Sequence, residues 1–252
     1  TPLYSSAASD VYKRQVMAGA RITSNIAGEN GEGWKKLRKL QANKGDYRNF
    51  QFDVLMANPP FAGDIKQTDM LAPYDLAHKL AKDGSLGRLE SAVGRDLLFI
   101  ERNLDFLKPG GRMAVVLPQG RFNNSSDQRV REFIAERCRI LAVVGLHPNT
   151  FKPHTGTKTS VLFVQKWNDD PKAGALCKKA EDYNIFFATQ RLQSKDSSGE
   201  KIYVKDAKAG RLRDDHGHWV VQHDFFNHDG RTQDGIAEAF EEFAAKEKLS
   251  FF

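Results

Sequence analysis

Phe52-Asp53-Val54-Leu55-Met56-Ala57-Asn58-Pro59-Pro60-Phe61 is the stretch on which the reading of this chain turns. Its first six residues are an apolar run of strand length, interrupted only by Asp53. The run ends in a tetrapeptide with an unusual set of groups. The Asn58 side-chain carbonyl accepts hydrogen bonds, and so does the backbone carbonyl of Pro59. The prolines lack N–H groups, fix φ and push the residues before them toward extended geometry. Two acceptors are therefore held rigidly beside an aromatic ring, Phe61. That arrangement suits a planar amino group on a flat ring, such as the exocyclic –NH2 of a nucleobase taken out of its stack. The plainer reading is a Pro-Pro turn that only terminates a strand.

Outward from this stretch the periods alternate. Residues 62–93 are polar and broken by Gly63, Pro73, Gly84 and Gly87, which predicts a long loop with one helix around Tyr74–Ala81. Arg95–Leu107 carries Leu97, Ile100, Leu104 and Leu107 at helical spacing, and Lys108-Pro109-Gly110-Gly111 predicts its stop. Met113–Leu117 reads as a strand covered on both faces. Ser125 and Gln128 offer a capping box for a helix through Arg137 with Val130, Phe133 and Ile134 inward. Ile140–Leu146 and Ser160–Gln165 read as further buried strands. This alternation predicts an α/β fold, a doubly wound sheet whose ligands sit at the carboxyl ends of the strands. Asn58 and Gln119 both fall at such ends.

Beyond residue 168 the pattern changes. Ile185-Phe186-Phe187-Ala188 and Ile202-Tyr203-Val204 read as short strands around a turn at Lys195–Gly199, and Asp234–Lys248 as an amphipathic helix with Ile236, Phe240, Phe243 and Ala244 inward. The expected organisation is a lead at 1–15 that resembles translated adapter sequence, a partial catalytic domain at 16–167 and a C-terminal α+β extension at 168–252. A basic cluster, Lys35, Lys36, Arg38, Lys39 and Lys44, reads as a solvated helix face or a phosphate-contacting surface.

Composition narrows the function classes. Of 252 residues 40% are hydrophobic and 28% charged, as in soluble globular proteins. No apolar run reaches membrane-spanning length. Cys138 and Cys177 are far apart and make no metal or disulfide pattern, which suits a reducing cytoplasm. The net charge of +6 favours a polyanionic partner. His216, His218, His223 and His228 lie among aspartates, but their spacing matches no standard metal site, and no metal is expected.

Asn58-Pro59-Pro60-Phe61, the following Leu107–Arg112 helix end and the strand Met113-Ala114-Val115-Val116-Leu117-Pro118 resemble the amino-methyltransferases that act on DNA. The chain resembles most closely the modification subunit of type I restriction–modification systems, an N6-adenine DNA methyltransferase. Val144–Phe151, Thr155–Thr159 and Ser160–Val164 are similar to that family's final hairpin. The resemblance spans roughly residues 52–245. It implies a partial Rossmann-like methyltransferase sheet and the cofactor S-adenosylmethionine. It also implies that Asn58 and the Pro59 carbonyl accept hydrogens from the N6 amine of a flipped adenine. Pro60 completes the rigid turn and Phe61 stacks on the base. A second aromatic is implied in the loop before the last strand, and Phe151 is the candidate. Double-stranded DNA, a specificity subunit and a restriction subunit are the implied partners, with no membrane.

The resemblance also implies a Gly-rich loop and an acidic residue upstream of Asn58 to hold the cofactor. Gly28, Gly31 and Gly33 do not have that spacing. The expectation is therefore a fragment whose cofactor-binding residues are unknown and which does not methylate alone. Two alternatives stand beside the DNA reading. One is transfer to the side-chain amide of a protein glutamine; the other is a non-catalytic module in which residues 168–252 dock a partner.

Overall fold

The computed structural model describes residues 51–206, 210–214, 216–227 and 235–249. The lead, the glycines at 28, 31 and 33, the basic cluster and His228 lie outside the described residues. Those described form two compact units. One comprises the residues up to Met113 with Lys172–Gly174; the other comprises Ala114–Pro171 and the residues from Ala175 onward.

In the first unit β1 is Phe52–Ala57, as the apolar run predicts. It neighbours β6, Leu107–Pro118, and lies at the end of its sheet's strand order. Its start is held at three points. Phe52 packs edge-on against Phe106, with ring centroids 6.3 Å apart. Lys108 Nζ donates to both carboxylate oxygens of Asp53, at 2.8 and 2.9 Å. A side chain at Gly111 would stand 3.1 Å from the Asp53 carbonyl, so only glycine lets the two backbones approach this closely. The strand is less buried than its composition predicts. Val54 and Met56 are 59% and 82% exposed, and they share a face that the described residues leave open. Composition identifies a strand; it does not say what covers it.

Residues 62–93 are more ordered than a loop. They form β2 (Asp64–Ile65), α1 (Thr68–Leu71), a 3-10 turn (Asp75–Ala77), β3 (His78–Leu80), β4 (Leu86–Leu89) and β5 (Val93–Gly94). β2 pairs antiparallel with β5 and β3 with β4. The helix predicted around Tyr74–Ala81 is a single turn running into a hairpin. Ile65, Leu71, Tyr74, Ala77 and Val93 nonetheless build a core with Leu98. Each such leucine contributes on the order of 1.5–3 kcal/mol by leaving water. Elements this short carry too few residues to show a period, which is why the pattern looked polar and broken.

That core rests on α2, Arg95–Phe106. Of its predicted apolar face Ile100 and Leu104 are buried and Leu97 is half-buried, while Leu107 opens β6; Leu98 and Phe106 are buried as well, and so are Asp96, Glu101, Arg102 and Asn103. Glu101 accepts the backbone N–H groups of Asp75 (2.8 Å) and Leu76 (2.9 Å), satisfying donors that the 3-10 turn leaves over. The Arg102 guanidinium lies 4.8 Å from the centre of the Tyr74 ring, and its Nε donates to the Tyr74 hydroxyl at 3.3 Å.

In the second unit β6 runs on through Ala114–Pro118 and neighbours β8, Thr159–Lys166, which in turn neighbours β7, Cys138–Gly145. β7 pairs antiparallel with β8, from Cys138↔Lys166 to Gly145↔Ser160. On its other side β7 pairs parallel with β9, Phe186–Thr189. The sheet is thus mixed and the fold is α/β. Between β6 and β7 run α3 (Gly120–Asn123), a 3-10 turn (Ser125–Asp127) and α4 (Gln128–Arg137). Val130, Phe133 and Ile134 are the buried face of α4, as predicted. The capping box is not formed: Ser125 opens the 3-10 turn, and α4 starts without a side-chain cap.

The segment after β9 closes through short pairings. These are β10 (Lys205–Asp206) with β11 (Gly210–Arg211) and the isolated bridges Lys195↔Lys201 and Tyr203↔Val221. The last helix, α5, spans Ile236–Lys246. Phe240 and Phe243 meet Phe186 of β9 with centroids 5.5 and 5.6 Å away. An apolar cavity of about 300 Å³ remains between this helix and the sheet, lined by Val144, Phe163, Phe186 and Phe240 among others. No described helix is long and apolar enough to cross a membrane.

Candidate functional site

Asn58, Pro59, Pro60 and Phe61 follow directly on β1, at its carboxyl end. Asn58 and Pro60 are exposed, Pro59 is buried and Phe61 is half-buried. The acceptor side chain therefore faces solvent while the residue behind it is anchored. The segment is secured on its far side as well. The Gly63 carbonyl accepts the backbone N–H of Arg95 at 3.1 Å, at the start of α2. Directly after it, Asp64 and Ile65 pair with Gly94 and Val93. Gly63 itself has φ +98, and a side chain there would stand 3.1 Å from the Arg95 guanidinium. The tetrapeptide is thus suspended between a strand and a helix start, with little freedom at either end.

Gln119 leaves β6 at its carboxyl end, and its backbone N–H donates to the Lys158 carbonyl at 2.9 Å. Phe151 belongs to the second unit, where it sits half-buried in the loop between β7 and β8. That loop folds on itself. Thr150 N–H and Oγ1 both reach the His147 carbonyl, at 2.9 and 2.7 Å, and Thr155 N–H reaches the Phe151 carbonyl at 3.1 Å. Its outer attachments come from the segment after β9. Gln190, buried, accepts the His147 N–H at 2.9 Å, and Lys195 Nζ donates to the Lys152 carbonyl at 2.9 Å. The sequence marks Lys195–Gly199 as a turn but gives no hint of this contact, which joins residues more than forty apart.

Other titratable side chains have structural surroundings. Cys138 opens β7 fully buried, and burial pushes its thiol up to about 12, far from thiolate reactivity. Cys177 is likewise buried and raised. His216 and His218 lie on a turn organised by Asp214, whose carboxyl is held low, chiefly by the His218 backbone N–H. Among the described residues no group of His, Cys, Asp and Glu could hold a metal ion. Asp53 is taken up by Lys108 and is not placed for acid–base work. The described residues also contain no Gly-rich loop between a strand and a helix, so none of them is assigned to S-adenosylmethionine.

A family model described as N-6 DNA Methylase matches residues 29–242. The type I restriction enzyme EcoEI methylase subunit of Escherichia coli is 30% identical over 118 residues, covering 46% of this chain and 21% of that protein. The type II restriction enzyme and methyltransferase RM.Eco57I, also of Escherichia coli, is 26% identical over 142 residues, covering 56% of this chain and 14% of that one. Among solved structures, the type I restriction-modification system methyltransferase subunit from Streptococcus thermophilus is 22% identical with a TM-score of 0.37, covering 50% of this chain and 27% of that chain. The chain spans 21% and 14% of the lengths of the two curated relatives named. With the family match running through β1, its Asn-Pro-Pro-Phe end and the β7–β8 hairpin, the chain belongs to the N-6 DNA methylase family.

Proposed function

We propose that this chain supplies the substrate side of an adenine-N6 methyltransferase site for DNA, within a restriction–modification system. The observation that carries the reading is the placement of Asn58-Pro59-Pro60-Phe61. It stands at the carboxyl end of a strand, anchored behind by buried Pro59 and ahead by the Gly63–Arg95 bond. The Asn58 side-chain carbonyl and the Pro59 backbone carbonyl each accept one hydrogen of the adenine N6 amine. Using both hydrogens this way turns the nitrogen lone pair out of the ring plane, toward a methyl donor. Phe61 stacks on the base, replacing the stacking that flipping removes, and Phe151 provides a second aromatic. The binding energy goes into orientation, which is the main contribution a site can make to a direct transfer.

The family supplies S-adenosylmethionine as methyl donor. The residues described here fit the amine and not the donor, so the donor belongs to residues outside those described or to a longer protein carrying this chain. The proposed partners are double-stranded DNA, a specificity subunit and a restriction subunit, in the cytoplasm. The proposed division is a catalytic domain at 16–167 and an extension at 168–252. Membership in a DNA methylase family favours the adenine amine over a glutamine amide. Transfer of a labelled methyl group to DNA and to a glutamine-bearing peptide, by a protein carrying this chain, tests the choice. Label in adenine is expected; label in the peptide alone overturns it.

A further inference from the structure

Phe151 lies in a loop, and a loop by itself fixes a ring poorly. Here the loop is fastened on both sides of Phe151 by one other segment. On the amino-terminal side, Asn149 Nδ2 donates to the Lys195 carbonyl at 3.2 Å and to Gln193 Oε1 at 3.3 Å. On the carboxyl-terminal side, Lys195 Nζ donates to the Lys152 carbonyl at 2.9 Å. Lys195 therefore holds the loop through its backbone before Phe151 and through its side chain after it. Gly199 adds a steric stop: a side chain there would stand 2.6 Å from Pro153 and 2.8 Å from the Lys152 carbonyl carbon.

The fastening segment is itself stiff. Gln190 Nε2 donates to the Leu192 carbonyl at 2.8 Å and to Ser194 Oγ at 3.0 Å. Asp196 Oδ1 accepts the backbone N–H groups of Ser198, Gly199 and Glu200 at 2.9–3.0 Å, closing the turn. Ile202 N–H reaches the Ser194 carbonyl at 3.0 Å, and Lys195 bridges to Lys201.

We propose that Gln190–Gly199 is a brace for the β7–β8 loop, and that Asn149 and Lys195 are positioning residues that set where the Phe151 ring stands. This rests on the reading of Phe151 as a ring that meets the base. A ring held in place before the base arrives spares the ordering that a free loop would undergo on binding. The brace thus acts on substrate engagement, without touching the substrate.

The 252-residue chain allows two measurements. The first is amide hydrogen exchange at Lys152 and Thr155, whose N–H groups bond the Asn149 and Phe151 carbonyls at 3.1 Å. Lys195→Met and Asn149→Ala are each expected to speed exchange there by about tenfold, with α4 and β7 unchanged. Exchange equal to wild type overturns the brace. The second uses a duplex carrying 2-aminopurine opposite an abasic site, whose fluorescence falls as the loosened base stacks on an aromatic ring. Wild type is expected to quench it, Phe151→Ala and Lys195→Met to quench it less, and Lys195→Arg to restore quenching. Full quenching by Lys195→Met alongside loss in Phe151→Ala overturns the inference and leaves the reading of Phe151 standing. Full quenching by Phe151→Ala, or none by wild type, overturns that reading, and exchange alone then decides the brace.

Discussion

Asn58 carries the proposed chemistry through one atom, its side-chain carbonyl oxygen. In a protein that carries this chain and methylates DNA, Asn58→Ala is expected to lower methyl transfer by several orders of magnitude. Its donor affinity, measured by calorimetry, should stay within about twofold, because orientation of the amine is lost and donor contacts are not. Gly63 is a structural counterpart. Its φ of +98 and the guanidinium 3.1 Å from a would-be side chain make Gly63→Ala cost roughly 1–2 kcal/mol. The expected readout is a thermal midpoint lowered by several degrees; an unchanged midpoint would show that Arg95 swings aside freely.

Glu101 gives a prediction with a sign. Burial holds its carboxyl above the usual 4.5, against the Leu76 and Asp75 N–H groups that favour its charged form. A folded value above the unfolded one means that this group's contribution is complete below about pH 4.5 and is lost as pH rises through the folded value. Glu101→Gln removes that pH dependence and leaves one backbone N–H poorly matched, at about 1–3 kcal/mol. Urea unfolding should show the variant less stable at neutral pH, with a smaller decline than wild type from about pH 4.5 upward. Equal declines would contradict the role of Glu101.

At the scale of elements, long periodic segments were legible and short ones were not. α2, α4, α5 and the strands β1, β7 and β8 stand where period and composition place them, within a few residues. β6 begins earlier than its apolar run, because Gly111 and the Lys108–Asp53 pair carry Lys108-Pro109-Gly110-Gly111 into the sheet. Residues 62–93 defeated local reading because their core forms from distant residues. Tyr74 and Leu98 meet only through the tertiary fold. The candidate site divides in the same way. Asn58–Phe61 are contiguous and readable, whereas the support of the Phe151 loop comes from residues 190–199 and leaves no local signature. α5 shows what an element's packing is worth. Phe240 is half-buried against Phe186 and borders the cavity of about 300 Å³. Phe240→Ala should cost about 2 kcal/mol, below the range for a fully buried ring. A chemical-denaturation midpoint equal to wild type would show that α5 contributes little.

For the molecule as a whole, the family match covers residues 29–242, and the proposed amine side of the site rests on the Asn-Pro-Pro-Phe segment that follows β1. No described residue is assigned to the methyl donor, so titration of this chain with S-adenosylmethionine asks a separate question. The residues described predict no tight binding of their own; micromolar or tighter affinity would place the donor contacts within residues 1–50 or in gaps between the described segments.

The most direct test of the central claim is labelled methyl transfer to DNA by a protein carrying this chain, with the product base identified and Asn58→Ala run in parallel. N6-methyladenine is expected from wild type and essentially none from Asn58→Ala at unchanged donor affinity. Undiminished N6-methyladenine from Asn58→Ala, or a labelled product other than adenine, would contradict it.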